Sequence, residues 1–570
     1  MDINIMVGGE AGQGVQATGF IIAKALARYG LSVFADQDYE SRVRGGHNFF
    51  RIRAGDGDVG AISEELDVLL ALDRQSIDLH QREVPSDGFV IFDSDKIKDI
   101  GAGDNLLGLP LERMAMEAAK NKQAANVVAV GAAMSLIGYD RSSLTSVVLD
   151  YFGTGETGQA NAAAAVRGHE YANAKSKGGL GKRASPADGQ KRMLLNGNEA
   201  VALGAMAAGC RFVSAYPMTP STTIMEYMAG KADELGIVVV QPEDEISAIN
   251  MIIGATFAGV RSMTATSGGG FCLMVEGLGL AGMTETPIVV VDGQRAGPAI
   301  GLPTRTEQGD LLFALHASHG DFPRVVMAPT NVEDAFWLTV KAFNLADEYQ
   351  VPVIILTDQY LASSYATADR FDLSGVQIRR GQFLSEEDPS KLEHYKRYEI
   401  TASGISPRAF PLQSTALVVA DSDEHNEEGH LIEDAETRTA MMLKRQRKLE
   451  GLKKEISGPR THGPSQADIT LIGWGSTLGA LKETVDTAAQ HGLSVNLVHF
   501  AEIWPFPTEA ANLALQGAGR TFAVEGNATA QFAQLLRAET GHQVSGTILK
   551  FDGRPLTPAY ILGQLRKEVA

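Results

Sequence analysis

Short runs dense in valine and isoleucine recur along almost the whole chain, each closing on a turn that carries glycine, serine or threonine. A longer amphipathic run follows each of them. Between residues 211 and 358 the runs are RFVSAYP, IVVVQPE, RSMTATS, PIVVVDGQ, RVVMAP and VPVIILTD. Strands that stay apolar without alternation must be covered on both faces, and helices between successive strands provide the cover. The pattern therefore predicts an α/β protein of several doubly wound, mostly parallel sheets. At 570 residues the chain exceeds what one core organises, and about three to four domains are expected.

The first segment shows the same alternation: INIMVGG, LSVFAD, NFFRIRA, DVLLAL and GFVIFD read as strands, and VQATGFIIAKALARYG as a helix. RMAMEAAKNKQAANVVAVGAAMSLIG reads as one helical stretch. Residues 170–193 read as a linker, with six basic residues, four glycines and a proline. Residues 371–465 are irregular, with the charged tract DSDEHNEEGHLIED ahead of the basic helix TRTAMMLKRQRKLEGLKKEI. The α/β pattern returns near residue 466, with DITLIGWGS, SVNLVHF and RTFAVEGN as strands.

Charge and cysteine content exclude whole classes of function. Asp and Glu outnumber Lys and Arg 69 to 50, a net −19, so the mean field repels nucleic acid and anionic membranes. The start MDINIMVGGEAGQG has no basic segment leading into an apolar one, and no run of about 18 uncharged apolar residues occurs. A cytoplasmic protein without membrane contact is expected. The two cysteines, Cys210 and Cys272, sit in apolar stretches and read as core residues. Two thiols cannot ligate a [4Fe–4S] cluster, which takes about four.

Several turns hold groups suited to chemistry. Gly12-Gln13-Gly14-Val15-Gln16-Ala17 fits a dinucleotide fingerprint, with Asp36 at the end of the next strand, and a nicotinamide- or flavin-binding oxidoreductase is one reading of it. Arg42 and Arg44 flank a Gly-Gly turn and suit a phosphate. Four strand ends of the second segment carry polar groups, where open α/β sheets bind ligands. They are Tyr216-Pro217-Met218-Thr219-Pro220, the acids Glu243-Asp244-Glu245, Ser267-Gly268, and Arg295. Thr219 suits a helix N-cap with Pro220 in the first turn. Of the three acids, the one facing the apolar helix ISAINMIIGATFAG is the candidate tuned carboxylate. Asp421, Asp423, Glu424, His425, Glu427, Glu428 and His430 match no metal-site spacing and read as a solvated loop paired with the basic helix.

These motifs, in order, carry a family resemblance. YPMTPST, the EDEISA helix, TSGGG, QRAGPAIGLPT with TEQGDL, GISPRAFP, DEHNEEGH and the GWGS and VEGN turns resemble the α subunit of the 2-oxoacid:ferredoxin oxidoreductases. GGEAGQGV and ESRVRGG resemble the family's γ domain, fused ahead of α. The resemblance implies a γ-type domain over 1–180, a pyrimidine-binding-type domain over 194–370, a connecting segment over 371–465 and a transketolase C-terminal-like domain over 466–570. It also implies thiamine diphosphate shared with a β subunit that brings Mg²⁺ and a [4Fe–4S] cluster. Coenzyme A is the implied co-substrate, ferredoxin the electron acceptor, and a dimer of α–β heterodimers the implied assembly. No metal site is implied on this chain. Glu245 matches the glutamate that meets the thiamine aminopyrimidine, Thr219 the substrate-side threonine, and Arg295 suits the substrate carboxylate. Tyr216, Pro217, Ser267 and Gly268 fall on the cofactor side, and Arg42 and Arg44 on the coenzyme A side. Ala299 and Ile300 stand where the family commonly has Ser and Thr. The motif context looks most like the 2-oxoglutarate branch, with pyruvate and branched-chain acids as alternatives.

Overall fold

The computed structural model describes the chain apart from residues 42–44, 101–102, 177, 187–191, 385–393, 413–415 and 570. It forms two compact units. The first comprises Met1–Leu195 with Ser363–Arg370 and Thr557–Tyr560, and the second Asn196–Ala362, Phe371–Leu556 and Ile561–Ala570.

An eight-stranded mixed sheet organises the first unit. Its order is Leu106–Leu109, Phe89–Asp93, Val68–Ala71, Asp2–Ala11, Gly45–Gly55, Ser32–Asp38, Tyr365–Ala368, Met193–Asn196. The first four of these run parallel. Gly45–Gly55 is antiparallel to both of its neighbours, because the few residues after Asp38 are too few for a parallel crossover. Helix Val15–Arg28 lies so close that a Cβ on Gly19 would fall 2.3 Å from the Phe50 ring. Helices Ala125–Leu136 and Glu156–Lys175 meet just as tightly: a Cβ on Gly131 would stand 1.9 Å from the Ala165 carbonyl oxygen. The stretch expected as one helix over residues 113–138 is broken. Lys120 turns to φ 53° and ends Leu111–Ala119, and a new helix begins at Ala125. Part of the compositional linker is docked, with Leu180 buried and Lys182 Nζ 2.8 Å from Asp67.

Two sheets share the core of the second unit. The larger runs Glu502–Trp504, Val325–Met327, Pro352–Asp358, Ile288–Gln294, Ser262–Thr266, Phe212–Ser214, Val238–Val240. It is parallel throughout except for the Glu502–Trp504 edge. The smaller runs Arg460–His462, Val495–Phe500, Ile469–Trp474, Arg520–Glu525, Gly546–Leu549. Ile288, Val290 and Ile354 of one sheet and Ile472, Trp474 and Phe500 of the other belong to a single apolar cluster. Among the described residues no helix is long and apolar enough to cross a membrane.

Residues 395–412 and 416–456 are pinned by buried charge. Glu285 is paired with Lys444 (2.5 Å) and Lys448, all three essentially inaccessible. Asp347 receives Arg261 (2.7 Å), Arg380 (2.7 Å) and Arg408 (2.9 Å). The acidic tract pairs with the basic helix as expected, through Glu424 on Arg438 and Arg445, though Arg445 is buried rather than solvated. Cys210 is in the core, but Cys272 is exposed, which corrects the reading of both as core residues. On helix Gly268–Met283 the buried face takes Gly270, Phe271, Met274, Gly277 and Leu278. The 3.6-residue period turns Cys272 outward with Leu273 and Glu276.

Candidate active site

The larger sheet of the second unit reverses direction beside its first strand. Chain order runs outward from Phe212–Ser214 to Val238–Val240, and the next strand, Ser262–Thr266, lies on the other side. Ligands of open α/β sheets bind at the carboxyl ends of the strands flanking such a reversal. The parallel strands end together, at Ser214, Val240, Thr266, Gln294 and Asp358.

Four of these ends deliver candidate residues. Asp244 caps helix Glu245–Phe257 by accepting the Ser247 N–H at 2.7 Å, so Glu245 starts the first turn. Glu243 is exposed, whereas Glu245 is buried at 4% exposure with its Oε1 lacking any hydrogen-bond partner. Glu245 reaches this place because residue 270 is glycine: a Cβ there would lie 2.7 Å from Glu245 Oε1 and 2.1 Å from Thr266 Oγ1. Ser267, fully buried, has an unpartnered Oγ at the start of the next helix. Arg295 is buried and donates from Nη1 to the Thr219 carbonyl at 2.7 Å. That bond ties together the turns of two separate strands. Thr219 does not cap the following helix: Ser221 holds the N-cap, and the helix begins at Thr222. The Thr219–Pro220 peptide is cis. Tyr216 is exposed at 38%, and Pro217 is half-buried.

Orphaned polar atoms collect at this one edge of the sheet. Besides Glu245 Oε1 and Ser267 Oγ, they include Thr264 Oγ1, Thr357 Oγ1 and both carboxylate oxygens of Asp292. Buried polar groups are nearly always hydrogen-bonded, so such a concentration fits a site built to receive a polar ligand. A buried acceptor at a helix start, a hydroxyl and a glycine-only turn beside it suit the aminopyrimidine edge of thiamine.

Gly270→Ala tests the crowding. The added methyl meets the buried, β-branched Thr266 and the Glu245 carboxylate, both nearer than real Cβ contacts come. The expected outcome is a loss of about 1–3 kcal/mol of stability, the usual cost of overpacking. A fall in turnover accompanies it because Glu245 is displaced. Urea unfolding together with steady-state rates measures both, and an unchanged rate would place Glu245 elsewhere in the working enzyme.

Two residues of the site, Asp292 and Asp310, were not singled out from sequence. Asp292 is fully buried in strand Ile288–Gln294, and burial, then the Asp310 charge, hold its carboxyl well above the ordinary range. Burial pushes Asp310 up to about 6 although Arg295 pulls it down. Gln308 bonds to the smaller sheet, donating to the Trp474 carbonyl (3.1 Å) and accepting the Gly526 N–H (2.9 Å). A carboxylate interrupting an otherwise apolar strand, as in IVVVD, was the available signal for Asp292.

The first unit's candidates fare differently. Arg42 and Arg44 lie outside the described residues. Gly12 and Gly14 have positive φ, as a tight strand–helix turn requires, but Asn126 occupies the helix start. Its Nδ2 donates to the Gln13 carbonyl and lies 2.6 Å from where a Gly14 Cβ would be. Asp36 lies on a strand that Gly45–Gly55 separates from Asp2–Ala11. A dinucleotide unit needs those two strands adjacent.

A buried carboxylate at a helix start and a buried arginine, both at the carboxyl end of one parallel sheet, suit an organic cofactor beside an anionic substrate. Comparisons with known proteins agree. Residues 203–444 match the family described as pyruvate flavodoxin/ferredoxin oxidoreductase, thiamine diphosphate-binding. Residues 4–171 match pyruvate ferredoxin/flavodoxin oxidoreductase, and 467–561 match pyruvate:ferredoxin oxidoreductase core domain II. The chain is 32% identical over 617 aligned residues to the 2-oxoacid:ferredoxin oxidoreductase subunit alpha of a Sulfolobus species, covering 97% of this chain and 95% of the relative. It is 35% identical over 378 residues to the 2-oxoglutarate synthase subunit KorA of Methanothermobacter marburgensis, covering 65% and 97%. A solved 2-oxoglutarate:ferredoxin oxidoreductase from Magnetococcus marinus, with 2-oxoglutarate, coenzyme A and succinyl-CoA bound, superimposes over all of both chains. That match has a TM-score of 0.92 at 33% identity. The chain belongs to the family of 2-oxoacid:ferredoxin oxidoreductase α subunits, enzymes that use thiamine diphosphate.

Proposed function

We propose that this chain is the fused γ–α subunit of an enzyme that decarboxylates 2-oxoglutarate oxidatively to succinyl-CoA, with ferredoxin taking the electrons. The observation that carries the chemistry is Glu245: buried, unpartnered at Oε1, and placed at a helix start against Gly270 of the next strand-end turn. Thiamine diphosphate, when bound, supplies the carbanion-stabilising chemistry. Glu245 would hold the proton on the aminopyrimidine ring, with Tyr216, Pro217, Ser267 and Gly268 shaping the cofactor's side. Arg295 would receive the C1 carboxylate of the substrate through its free N–H groups, since Thr219 takes only one of them. Thr219 would face the substrate from the same turn. Arg42 and Arg44 are proposed for the phosphates of coenzyme A. Mg²⁺ and the [4Fe–4S] cluster are assigned to a β subunit, in a cytoplasmic dimer of α–β heterodimers. The substrate choice is supported by the KorA relatives and by the 2-oxoglutarate held in the Magnetococcus enzyme.

Reconstitution tests this reading. The chain purified alone should show no Fe–S absorption and no decarboxylase activity. With its β subunit it should turn over 2-oxoglutarate at a higher kcat/KM than pyruvate or branched-chain 2-oxoacids. Full activity from this chain alone would overturn the two-chain reading, and preference for pyruvate would overturn the substrate.

A further inference from the structure

Two carboxylates stand near Arg295 without a role in the reading above. Asp292 is fully buried, and neither of its oxygens has a hydrogen-bond partner. Asp310 approaches the same place from the following loop, held there as its N–H donates to Gln294 Oε1 at 3.0 Å. Gln294 is fixed in turn by donating to the Thr357 carbonyl at 3.1 Å. The Asp310 carboxylate lies over Gly268, 2.5 Å from where a Cβ would be, at the foot of the turn that Glu245 flanks. Arg295 joins no ion pair among the described residues; burial lowers its proton affinity, and the charges of Asp310 and Asp292 oppose that.

Two carboxylates and one guanidinium cannot all be charged in a dry pocket without leaving it negative. One proton shared between the acids makes it neutral. A substrate carboxylate arriving at Arg295 would then carry the pocket back to net negative, unless the pair takes up a proton as well. We propose that Asp292 and Asp310 hold one proton between them beside Arg295, and that binding of the 2-oxoacid carboxylate draws a second proton from solvent onto the pair. The inference rests on Arg295 as the receptor for that carboxylate. Asp310 is the group that titrates. Burial and the Asp310 charge hold the Asp292 carboxyl well above the ordinary range, whereas Asp310, at about 6, is ionised at neutral pH. Substrate charge on Arg295 cancels the pull that keeps Asp310 down, and its proton affinity rises. Two other groups face Asp310: Glu307 on its own loop, raised to about 6 by burial and by Asp310, and the Cys272 thiol on helix Gly268–Met283, raised by burial and by both acids. Asp310 thus acts as a positioning residue that makes substrate affinity depend on pH.

The reconstituted holoenzyme tests the inference by KM against pH and by calorimetry. In the wild type, KM for 2-oxoglutarate should rise about tenfold per pH unit above pH 6 with kcat level, as one required proton dictates. Asp310→Asn should flatten that slope and give a lower KM than wild type at pH 8. Glu307→Gln should keep the slope. Titration with 2-hydroxyglutarate, which keeps both carboxylates but has no keto carbon to attack, should show uptake approaching one proton per site at pH 7.5. The uptake is read from buffers of different ionisation enthalpy, and it should vanish in Asp310→Asn. No uptake by the wild type, or an unchanged slope in Asp310→Asn, overturns the proposal. Arg295→Ala separates the two readings. If it leaves KM unaltered, the carboxylate assignment fails. If it raises KM tenfold or more while Asp310→Asn keeps the slope, the proton pair alone fails.

Discussion

Replacing Glu245 by glutamine lowers the oxidative decarboxylation rate by a factor on the order of 100 or more, the usual loss when a positioned proton-transfer partner is removed. Glutamine keeps the size and one acceptor oxygen but cannot offset a proton on the cofactor ring. Folding and subunit assembly should persist. Capping of the helix belongs to Asp244, and Glu245 Oε1 has no partner to lose. A helix-dipole role would predict the contrary: a first-turn acid is worth about 0.3–1 kcal/mol of stability and nothing in rate. Steady-state rates at saturating 2-oxoacid, beside a urea melt of the same preparation, separate the two. A near-normal rate with a shifted melt would return Glu245 to a structural part.

Glu285→Gln should destabilise the second unit by about 3–5 kcal/mol, the cost of stripping the partner from buried charge. Burial alone would raise the Glu285 carboxyl, but Lys444, Lys448 and Arg397 outweigh it and hold it far below the ordinary range. Both lysines are pushed down by burial, Lys448 to about 7. An unfolded chain keeps the Lys448 proton up to about pH 10. The unfolded state therefore binds more protons between those values, and the contribution of Lys448 to stability rises with pH from 7 toward 10. In the variant the lysines face an amide, so the deficit should be largest near neutrality and shrink as the pH passes 9. Urea midpoints at pH 7 and 9 measure this. Replacing Glu285, Lys444 and Lys448 together by methionine should recover most of the loss, because an apolar trio has no charge to desolvate. A triple variant as weak as the single one would mean that backbone geometry at Glu285, whose φ is 47°, carries the effect instead.

The sequence by itself determined the local elements. Apolar runs such as PIVVVDGQ and VPVIILTD are strands because their side chains have no polar face to show water, and they form Ile288–Gln294 and Pro352–Asp358 as read. Glu245 was legible for the same reason: an acid directly ahead of an apolar helix can only start that helix, and two acids before it take the solvent and the cap. Everything decided by pairing distant segments was not. Strand Gly45–Gly55 slips between two strands that the glycine turn joins, and it thereby separates Asp36 from Gly12 and Gly14. The sequence pairs the basic helix with the acidic loop before it, yet Lys444 and Lys448 of that helix are buried against Glu285, 159 residues away from Lys444. Thr219 looked like a cap and instead presents its carbonyl to Arg295, 76 residues on. Asp310 comes to lie over Gly268 only because its N–H bonds Gln294, at the end of the strand that carries Asp292. Propensity and periodicity act over a few residues, whereas charge pairing and desolvation depend on which residues share a space, and only the tertiary fold sets that.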